Sequence, residues 1–181
     1  PGLIERFSQI KPKILILTDR YYYNGKEISM LERLPSIIDK IKSIKYVLIF
    51  SYPGKKLTKI RKFKNVNIFT KNNIVHQKNK TFKYEKFDFN DDLAILYSSG
   101  TTGKPKCICH RAGGVLLQHL KEHKLHCEIK PGDNIFYFTT CGWMMWNWLV
   151  SSLASAASIV LFDGFPMYKS NDLLFKIAEK E

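Results

Sequence analysis

Short apolar runs alternate with an amphipathic segment in the first half of the chain. Residues 13–18 (KILILT) and 46–50 (YVLIF) are apolar runs bounded by turn-forming residues, which predicts two strands. Between them, residues 29–42 place Leu and Ile at intervals of three and four, the spacing of an amphipathic helix. Residues 65–70 predict a third, weaker strand. This alternation predicts an α/β fold in which helices are layered on mixed sheets.

The second half continues with elements of both kinds after a polar stretch. Residues 71–92 show little periodicity and predict a loop, and residues 93–97 (LAILY) predict a buried strand that runs into a Ser/Gly/Thr segment. The other predicted strands are residues 107–110, 134–139 and 158–162, and the predicted helices are residues 112–127, 143–156 and 171–181. The pattern of both halves is therefore typical of the α/β class.

One segment, residues 143–162, is apolar enough to be compared with a membrane span. It contains Asn147 and four serines, and Asp163 and Gly164 end it. A spanning helix needs about 20 strongly apolar residues. A buried helix followed by a buried strand fits this composition better, so we expect no membrane partner.

Residues 98–106 carry the clearest chemical signal. They are Ser98, Ser99, Gly100, Thr101, Thr102, Gly103, Lys104, Pro105 and Lys106. The glycines let the backbone approach a ligand closely, the four hydroxyls can donate to anionic oxygens, and the lysines supply positive charge. This combination predicts a loop that binds phosphate groups.

The spacing of this loop differs from that of the common NTPase loop. That loop has four residues between its glycines, followed by Lys and Ser/Thr on a helix. Here two residues separate Gly100 from Gly103, and Pro105 lies where the helix would begin. The alternative is a flexible turn between two strands, but such a turn needs neither the repeated hydroxyls nor the Pro-Lys pair. The pattern favours phosphate binding of a different kind.

At these nine positions the chain resembles the superfamily of acyl-CoA synthetases, peptide-synthetase adenylation domains and luciferases. Cys107 departs from the pattern, since most members have Gly there. The flanking segments 110–114, 131–133, 138–147 and 161–164, and 7–13 and 23–26 upstream, look like the acetoacetyl-CoA synthetase branch. The resemblance covers nearly the whole chain and is poorest over residues 55–90.

The resemblance implies an AMP-forming acid–thiol ligase. ATP and coenzyme A would be its co-substrates, and Mg²⁺ would be its cofactor. A carboxylate would attack the α-phosphorus of ATP, and the sulfur of coenzyme A would then displace AMP. The residues expected to bind the ATP phosphates are Ser98, Ser99, Gly100, Thr101, Thr102, Gly103 and Lys106. Another short-chain acyl-CoA synthetase, acting on acetate or propionate, stays open as an alternative.

The residues that follow Gly142 are expected to line the acyl pocket. In related short-chain synthetases this position shapes the acid site, which implies that Trp143, Met144 and Met145 surround acetoacetate. The same run also suits a buried helix face, and the two interpretations are compatible.

We expect the chain to be part of a longer protein. It begins with Pro1, and its last helix has no cap or turn after it. The resemblance places a Tyr-Gly-x-Thr-Glu segment, a ribose-binding Asp, a hinge and a catalytic Lys farther along. Residues 1–181 would then be a partial AMP-binding (adenylation) domain within a large N-terminal domain, inactive alone, with no catalytic residue or metal ligand to name. The sequence specifies no oligomeric state.

The formal net charge of +13 lies entirely in the first half. Residues 1–90 hold 20 Lys and Arg against 7 Asp and Glu, whereas residues 91–181 hold 9 against 9. Such an excess can indicate a non-enzymatic nucleic-acid-binding module. The lysines are scattered among Ile and Asn without an RNA-binding signature, so a solvated surface and no nucleic-acid partner are expected.

Four cysteines and a group of histidines raise the possibility of a metal site. Absence of a signal peptide favours free thiols in a reducing cytoplasm. The candidate ligands are Cys107, Cys109, His110, His119, His123 and His126. The spacing Cys-x-Cys-His lacks the Cys-x₂₋₄-Cys pairing of structural zinc sites. We expect no metal site, but buried thiols and a solvated helix face on which the last three histidines lie.

Overall fold

The described residues of the computed structural model are 2–57, 59–75, 83–98, 103 and 105–181. They form a mixed α/β fold, as the sequence predicts, divided into two compact units, Pro1–Lys83 and Tyr84–Glu181. The elements of the first unit are α1 (Gly2–Ile10), β1 (Ile14–Thr18), β2 (Arg20–Tyr23), β3 (Lys26–Ser29), α2 (Leu34–Lys40), β4 (Tyr46–Phe50), β5 (Asn67–Thr70) and α3 (Lys71–Val75). Those of the second unit are β6 (Asp92–Ser98), β7 (Lys106–Arg111), α4 (Ala112–Lys121), a π-helical turn (Glu122–His126), β8 (Asn134–Ile135), α5 (Met144–Ser151), a 3₁₀ turn (Ser152–Ser155), β9 (Ser158–Ile159) and α6 (Leu173–Lys180).

A parallel sheet of three strands, in the order β1-β4-β5, organises the first unit. One face of this sheet packs against α2 because alternate side chains of a strand point to opposite faces. The buried core residues are Leu15, Leu34, Ile37, Ile41, Ile44, Val47 and Ile49. On the other face, Ile14 and Ile16 are 59% and 63% exposed. The core of this unit therefore lies on one side of the sheet.

Asp19, directly after β1, joins the ends of two parallel strands. Its carboxylate is buried and accepts hydrogen bonds from the Tyr52 backbone N–H at 2.7 Å and from Arg20 Nε at 3.0 Å. Its backbone N–H donates to the carbonyl oxygen of Phe50 at 2.9 Å. A buried carboxylate is tolerated only with such partners, and these partners fix the chain where β1 and β4 end.

The second unit is built from the antiparallel hairpin β6–β7, the helices α4 and α5, and the short parallel pair β8–β9. The helix α4 begins at Ala112, immediately after the hairpin, where the Gly113 N–H donates to the carbonyl of Phe89. A Cβ atom at Gly113 would lie 2.1 Å from the Phe89 ring, so this position has space only for glycine unless the ring moves. The hairpin and α4 are thereby held together at their junction.

Several predicted boundaries are wrong, each for a local reason. The helix predicted over residues 29–42 begins only at Leu34, because residues 26–29 pair with β2 and Pro35 suits the first turn. Residues 71–75 form α3 inside the predicted loop. The helix predicted to Cys127 passes into the π-helical turn, and the strands predicted at 134–139 and 158–162 are two residues long.

The strand predicted over residues 93–97 exists within β6, but it is not buried. Leu93 is 59% exposed and Ile95 is 41% exposed, because the sheet at this point consists of two strands among the described residues. Residues 143–162 form a helix, a 3₁₀ turn and a strand in the predicted order, but the strand is short and not buried, and Leu161 beyond it is 64% exposed. In the described ranges, the structure contains no helix with the length and apolar character required to cross a membrane.

Candidate active site

The predicted phosphate loop connects the two strands of the β6–β7 hairpin. Ser98 is the last residue of β6 and Lys106 is the first of β7, and the two face each other in the strand register. The hairpin thus places a hydroxyl and an ammonium group at the same end of the sheet. Of the other predicted phosphate-binding residues, Ser99, Gly100, Thr101 and Thr102 lie outside the described residues, as does Lys104.

Gly103 lies in a bend just before β7, and its surroundings are open. A Cβ atom added there would meet no described atom within 4 Å, and its φ is not in the left-handed region. The described residues around this position therefore leave space for a larger side chain. Lys106 is exposed, so its ammonium group is available to a ligand.

At the other end of the hairpin, an ion pair joins the strands. Arg111 Nη1 contacts Asp92 Oδ1 and donates to the carbonyl oxygen of Asn90 at 3.0 Å. The Asp92 carboxylate also accepts from Cys109 and so raises the pKa of that thiol. A raised pKa disfavours the thiolate, which is the nucleophilic form of cysteine.

A cavity of about 470 Å³ lies between the hairpin and the helices α4 and α5. Its volume is within the range of roughly 300–1,000 Å³ that is usual for small-molecule sites. Its lining residues are Leu93, Ala94, Leu96, Cys109, His110, Arg111, Gly114, Val115, Gln118, His119, Glu122, Met144, Met145, Asn147 and Trp148. The strand that ends at Ser98 therefore also contributes one wall of this cavity.

The three residues predicted to line the acyl pocket separate into two groups. Met144 and Met145 form the first turn of α5 and line the cavity. Trp143, the N-cap residue, is 53% exposed and lies beside the Tyr137 ring, with the ring centroids 6.1 Å apart. The structure brings the two methionines to the cavity but not the tryptophan.

Two side-chain hydrogen bonds join α4 and the π-helical turn to α5. Trp148 Nε1 donates to Glu122 Oε2 at 2.8 Å, and His119 Nδ1 lies 2.7 Å from Ser151 Oγ. The other carboxylate oxygen of Glu122 accepts from Gln118 Nε2, one turn earlier in the chain, at 2.6 Å. These contacts connect the wall that carries Gln118, His119 and Glu122 with the helix that carries the methionines.

The acid–base state of this polar group follows from burial and hydrogen bonding. The bond from Gln118, aided by that from Trp148, lowers the pKa of Glu122 and keeps it ionised. Burial lowers the pKa of His119, with the neighbouring His123 adding to the effect. The π-helical turn and α4 thus present one anion and neutral imidazoles to α5.

His123 is fully buried against the indole of Trp148. The ring centroids are 4.6 Å apart with an interplanar angle of 67°, an edge-on contact. Burial lowers the pKa of His123 and outweighs the interaction with the Trp148 backbone, which raises it. Within the described chain neither of its ring nitrogens makes a well-formed hydrogen bond. His123 therefore packs as a neutral ring.

The expectations for the cysteines and histidines are reversed. All four cysteines are free and exposed instead of buried, and His119 and His123 are buried instead of solvated. Only His126 is on an exposed face, because the π-helical turn separates it from the other two. The described residues contain no group of three or more His, Cys, Asp or Glu side chains that could hold a metal ion.

The contacts of Glu122 with Trp148 were not predicted from the sequence. The available signal was the spacing of residues 118, 119 and 122 on one helix and of residues 148 and 151 on another. Residues three or four apart share a helix face, so each set marks a polar strip. Which strip faces which depends on how the helices pack.

The AMP-binding enzyme family matches residues 3–181 of the chain. The chain belongs to this family. The acetoacetyl-CoA synthetase of Gallus gallus is 43% identical over 183 residues, and that of Rhizobium meliloti (strain 1021) is 41% identical over 180 residues. Each comparison covers 99% of this chain and 27% of the relative, so the chain spans about a quarter of the length of these relatives.

The fold of this AMP-binding enzyme also matches that of a solved structure. The acetoacetyl-CoA synthetase from Streptomyces lividans superposes with a TM-score of 0.87 at 35% sequence identity, over 99% of this chain and 26% of that one. The family match includes the basic first half, so the excess of lysines lies within the AMP-binding region.

Proposed function

We propose that the full-length protein activates acetoacetate with ATP and transfers the acetoacetyl group to coenzyme A. The observation that carries this proposal is the similarity to acetoacetyl-CoA synthetases, at 39–43% identity over 99% of the chain for six vertebrate relatives and one bacterial relative. Both the loop at residues 98–106 and the methionine pair lie within the matched range.

In the first step, an acetoacetate oxygen attacks the α-phosphorus of ATP, and the bond between this phosphorus and the pyrophosphate oxygen breaks. Two anions must approach each other, so the site has to offset their charge repulsion and align them. The hydroxyl of Ser98 and the ammonium group of Lys106, paired across the hairpin, are suited to bind the departing phosphates. The loop between them would supply further hydroxyl and N–H donors.

In the second step, the coenzyme A sulfur attacks the acyl carbon, its thiol proton is lost, and AMP leaves as the acyl–phosphate bond breaks. Met144 and Met145 would hold the small acyl group, because the unbranched methionine side chain adapts to irregular space. Trp143 remains a proposed contact of the acid, although it lies outside the cavity wall. The two compact units are proposed to be parts of one partial adenylation domain.

Mg²⁺ is proposed to accompany ATP. It would neutralise charge on the phosphate oxygens, the usual role of this ion in nucleotide sites. The described residues offer no carboxylate cluster that fits it, so no residue of this chain is assigned as its ligand.

A cytoplasmic location is proposed from the cysteines. All four are free thiols exposed at the surface. Exposed free thiols persist in a reducing compartment and tend to be oxidised elsewhere.

The proposal is tested by pyrophosphate exchange. The full-length protein is incubated with ATP, labelled pyrophosphate and acetoacetate, acetate or propionate in parallel. We expect label to enter ATP fastest with acetoacetate. Faster exchange with acetate or propionate would move the assignment to another short-chain acyl-CoA synthetase, and no exchange with any acid would refute ligase activity.

A further inference from the structure

The first turn of α5 carries the two methionines that line the cavity, and side chains farther along α5 join this helix to its neighbours. Trp148 is one turn farther along α5 than Met144 and Met145, and Ser151 is nearly one turn beyond Trp148. Both Trp148 and Ser151 make hydrogen bonds to the segment formed by α4 and the π-helical turn. Because His119, Glu122 and Trp148 line the same cavity as the methionines, these bonds join the two helical walls of that cavity.

These two hydrogen bonds restrict two kinds of movement. Rotation of α5 about its axis would carry the Trp148 indole away from Glu122, and sliding along the axis would separate Ser151 from His119. The indole N–H can only donate a hydrogen bond, so this contact requires an acceptor at the position of the Glu122 carboxylate. A carboxylate acceptor makes the bond charge-assisted and stronger than one between neutral groups.

Glu122 is itself held in place on its other side. Gln118, one turn earlier on the same helix, donates to Oε1, while Trp148 donates to Oε2. Both oxygens of the carboxylate are thus engaged, and its orientation is fixed before any ligand binds. His123 packs against the indole ring from the next position along the chain, which limits tilting of Trp148.

We infer that Glu122 and His119 are positioning residues, which set the acid specificity of the enzyme by fixing the first turn of α5 through Trp148 and Ser151. This inference rests on the proposed function, since it concerns the acid that Met144 and Met145 contact. The two residues act through α5 and are not assigned contact with the reacting atoms.

The test compares Glu122→Leu with Glu122→Gln in the full-length protein. Leucine removes the acceptor of the Trp148 indole, whereas the glutamine amide oxygen can still accept from it. For Glu122→Leu we expect the KM for acetoacetate to rise about ten-fold, because the first turn of α5 is no longer fixed in the position that binds the acid, with the KM for ATP unchanged. Glu122→Gln should restore the KM for acetoacetate. Lys121→Leu, an exposed position on the same helix, serves as the control and should leave both constants unchanged.

A purely structural role gives a different result. Glu122→Leu would then lower kcat or the active fraction while the KM for acetoacetate stays at the wild-type value, and this outcome would overturn the inference. If Glu122→Leu does not fold, Ser151→Ala removes the partner of His119 with little change of volume. It should raise the KM for acetoacetate in the same way, and an unchanged KM would again overturn the inference.

A second measurement examines the contact without activity. In protein labelled with ¹⁵N-tryptophan, the Trp148 indole N–H should exchange slowly with solvent in the wild type and in Glu122→Gln, and faster in Glu122→Leu. Equal exchange in all three would contradict the inference. Absence of acetoacetate-dependent pyrophosphate exchange in the wild type would refute the proposed function, whereas wild-type exchange with an unaltered KM in the variants would refute only the positioning role.

Discussion

Nδ1 of His119 lies 2.7 Å from Oγ of Ser151, and the second partner of that hydroxyl decides which atom carries the hydrogen. The Ser151 hydroxyl donates to the carbonyl oxygen of Trp148 at 2.8 Å. Because a hydroxyl has one hydrogen to donate, its oxygen must accept from His119, so Nδ1 carries the hydrogen. His119 therefore acts as the donor to Ser151 in either charge state.

The stability of the second unit should decrease at acidic pH because His119 and His123 are buried in neutral form. The pKa of histidine in an unfolded chain is about 6.5, and burial lowers the pKa of both residues in the folded unit. Their contribution is complete above the unfolded value. As the pH falls through about 6.5, the unfolded state binds more protons, so the free energy of unfolding decreases until the pH is below the folded-state pKa values.

Urea unfolding followed by tryptophan fluorescence measures this effect, since all three tryptophans lie in the second unit. Across roughly pH 5.5–7.5 the wild type should lose stability on acidification, and His123→Leu should lose less. His126→Asn, at an exposed histidine, should follow the wild type. An equal pH dependence in wild type and His123→Leu would show that burial of His123 has no such effect.

The side of the parallel sheet that packs on α2 should determine the stability of the first unit. Ile49 is fully buried, and Ile49→Ala should lower the free energy of unfolding by about 2–5 kcal/mol because it leaves a cavity. Ile16→Ala is the matched control on the adjacent strand. Its side chain is 63% exposed, so the change should stay within about 0.5 kcal/mol. Urea unfolding followed by circular dichroism gives both values, and equal losses would contradict a one-sided core.

Asp19 should contribute more to stability than its charge alone indicates. Asp19→Ala leaves the Tyr52 N–H and Nε of Arg20 without their acceptor, although Arg20 keeps its bond to Glu27, and we expect a loss of about 2–4 kcal/mol. Asp39→Ala, which removes an exposed carboxylate paired with Lys42, should change stability little. Thermal unfolding of the two variants side by side tests the difference, and a comparable effect of both would refute it.

Lys106 should affect ATP more than the acid. In the full-length protein, Lys106→Met should raise the KM for ATP about ten-fold, because one charge-assisted contact to phosphate is lost. Lys121→Met removes an exposed lysine of the same unit away from the hairpin and should have no effect. Pyrophosphate exchange at varied ATP concentration measures both, and an unchanged KM for ATP in Lys106→Met would exclude Lys106 from the phosphate site.

Met145 should limit the length of the acid. Met145→Ala enlarges the cavity, so kcat/KM for 3-oxohexanoate relative to acetoacetate should increase about ten-fold, the usual effect of a few methylene groups in an apolar pocket. Met167→Ala, at a methionine that is 58% exposed, should leave this ratio unchanged. An unaltered ratio in Met145→Ala would place the acid outside this cavity.

Local patterns were sufficient wherever a single periodicity determines an element. Residues 46–50 form the predicted strand because a short apolar run before a turn has few other ways to be buried. The start of α2 was misplaced because residues 26–29 pair with β2. A local pattern does not show whether a residue joins a helix or pairs with a neighbouring strand. Phosphate binding by the nine-residue loop was predicted from its glycine, hydroxyl and lysine residues and their spacing, and it stays a prediction.

The α/β class, the order of most elements, the position of the hairpin loop and the family resemblance could be predicted, because they depend on residues adjacent in the chain. Which polar groups are buried depends instead on how the helices pack in three dimensions. Histidines 119 and 123 were expected in solvent, and they became part of the core when α4 packed against α5. A helical strip of polar residues is the same in sequence whether it faces water or another helix. What distinguishes the two cases is a partner such as Trp148 or Ser151, which lies about 30 residues away in the chain and reaches the strip only in the folded state.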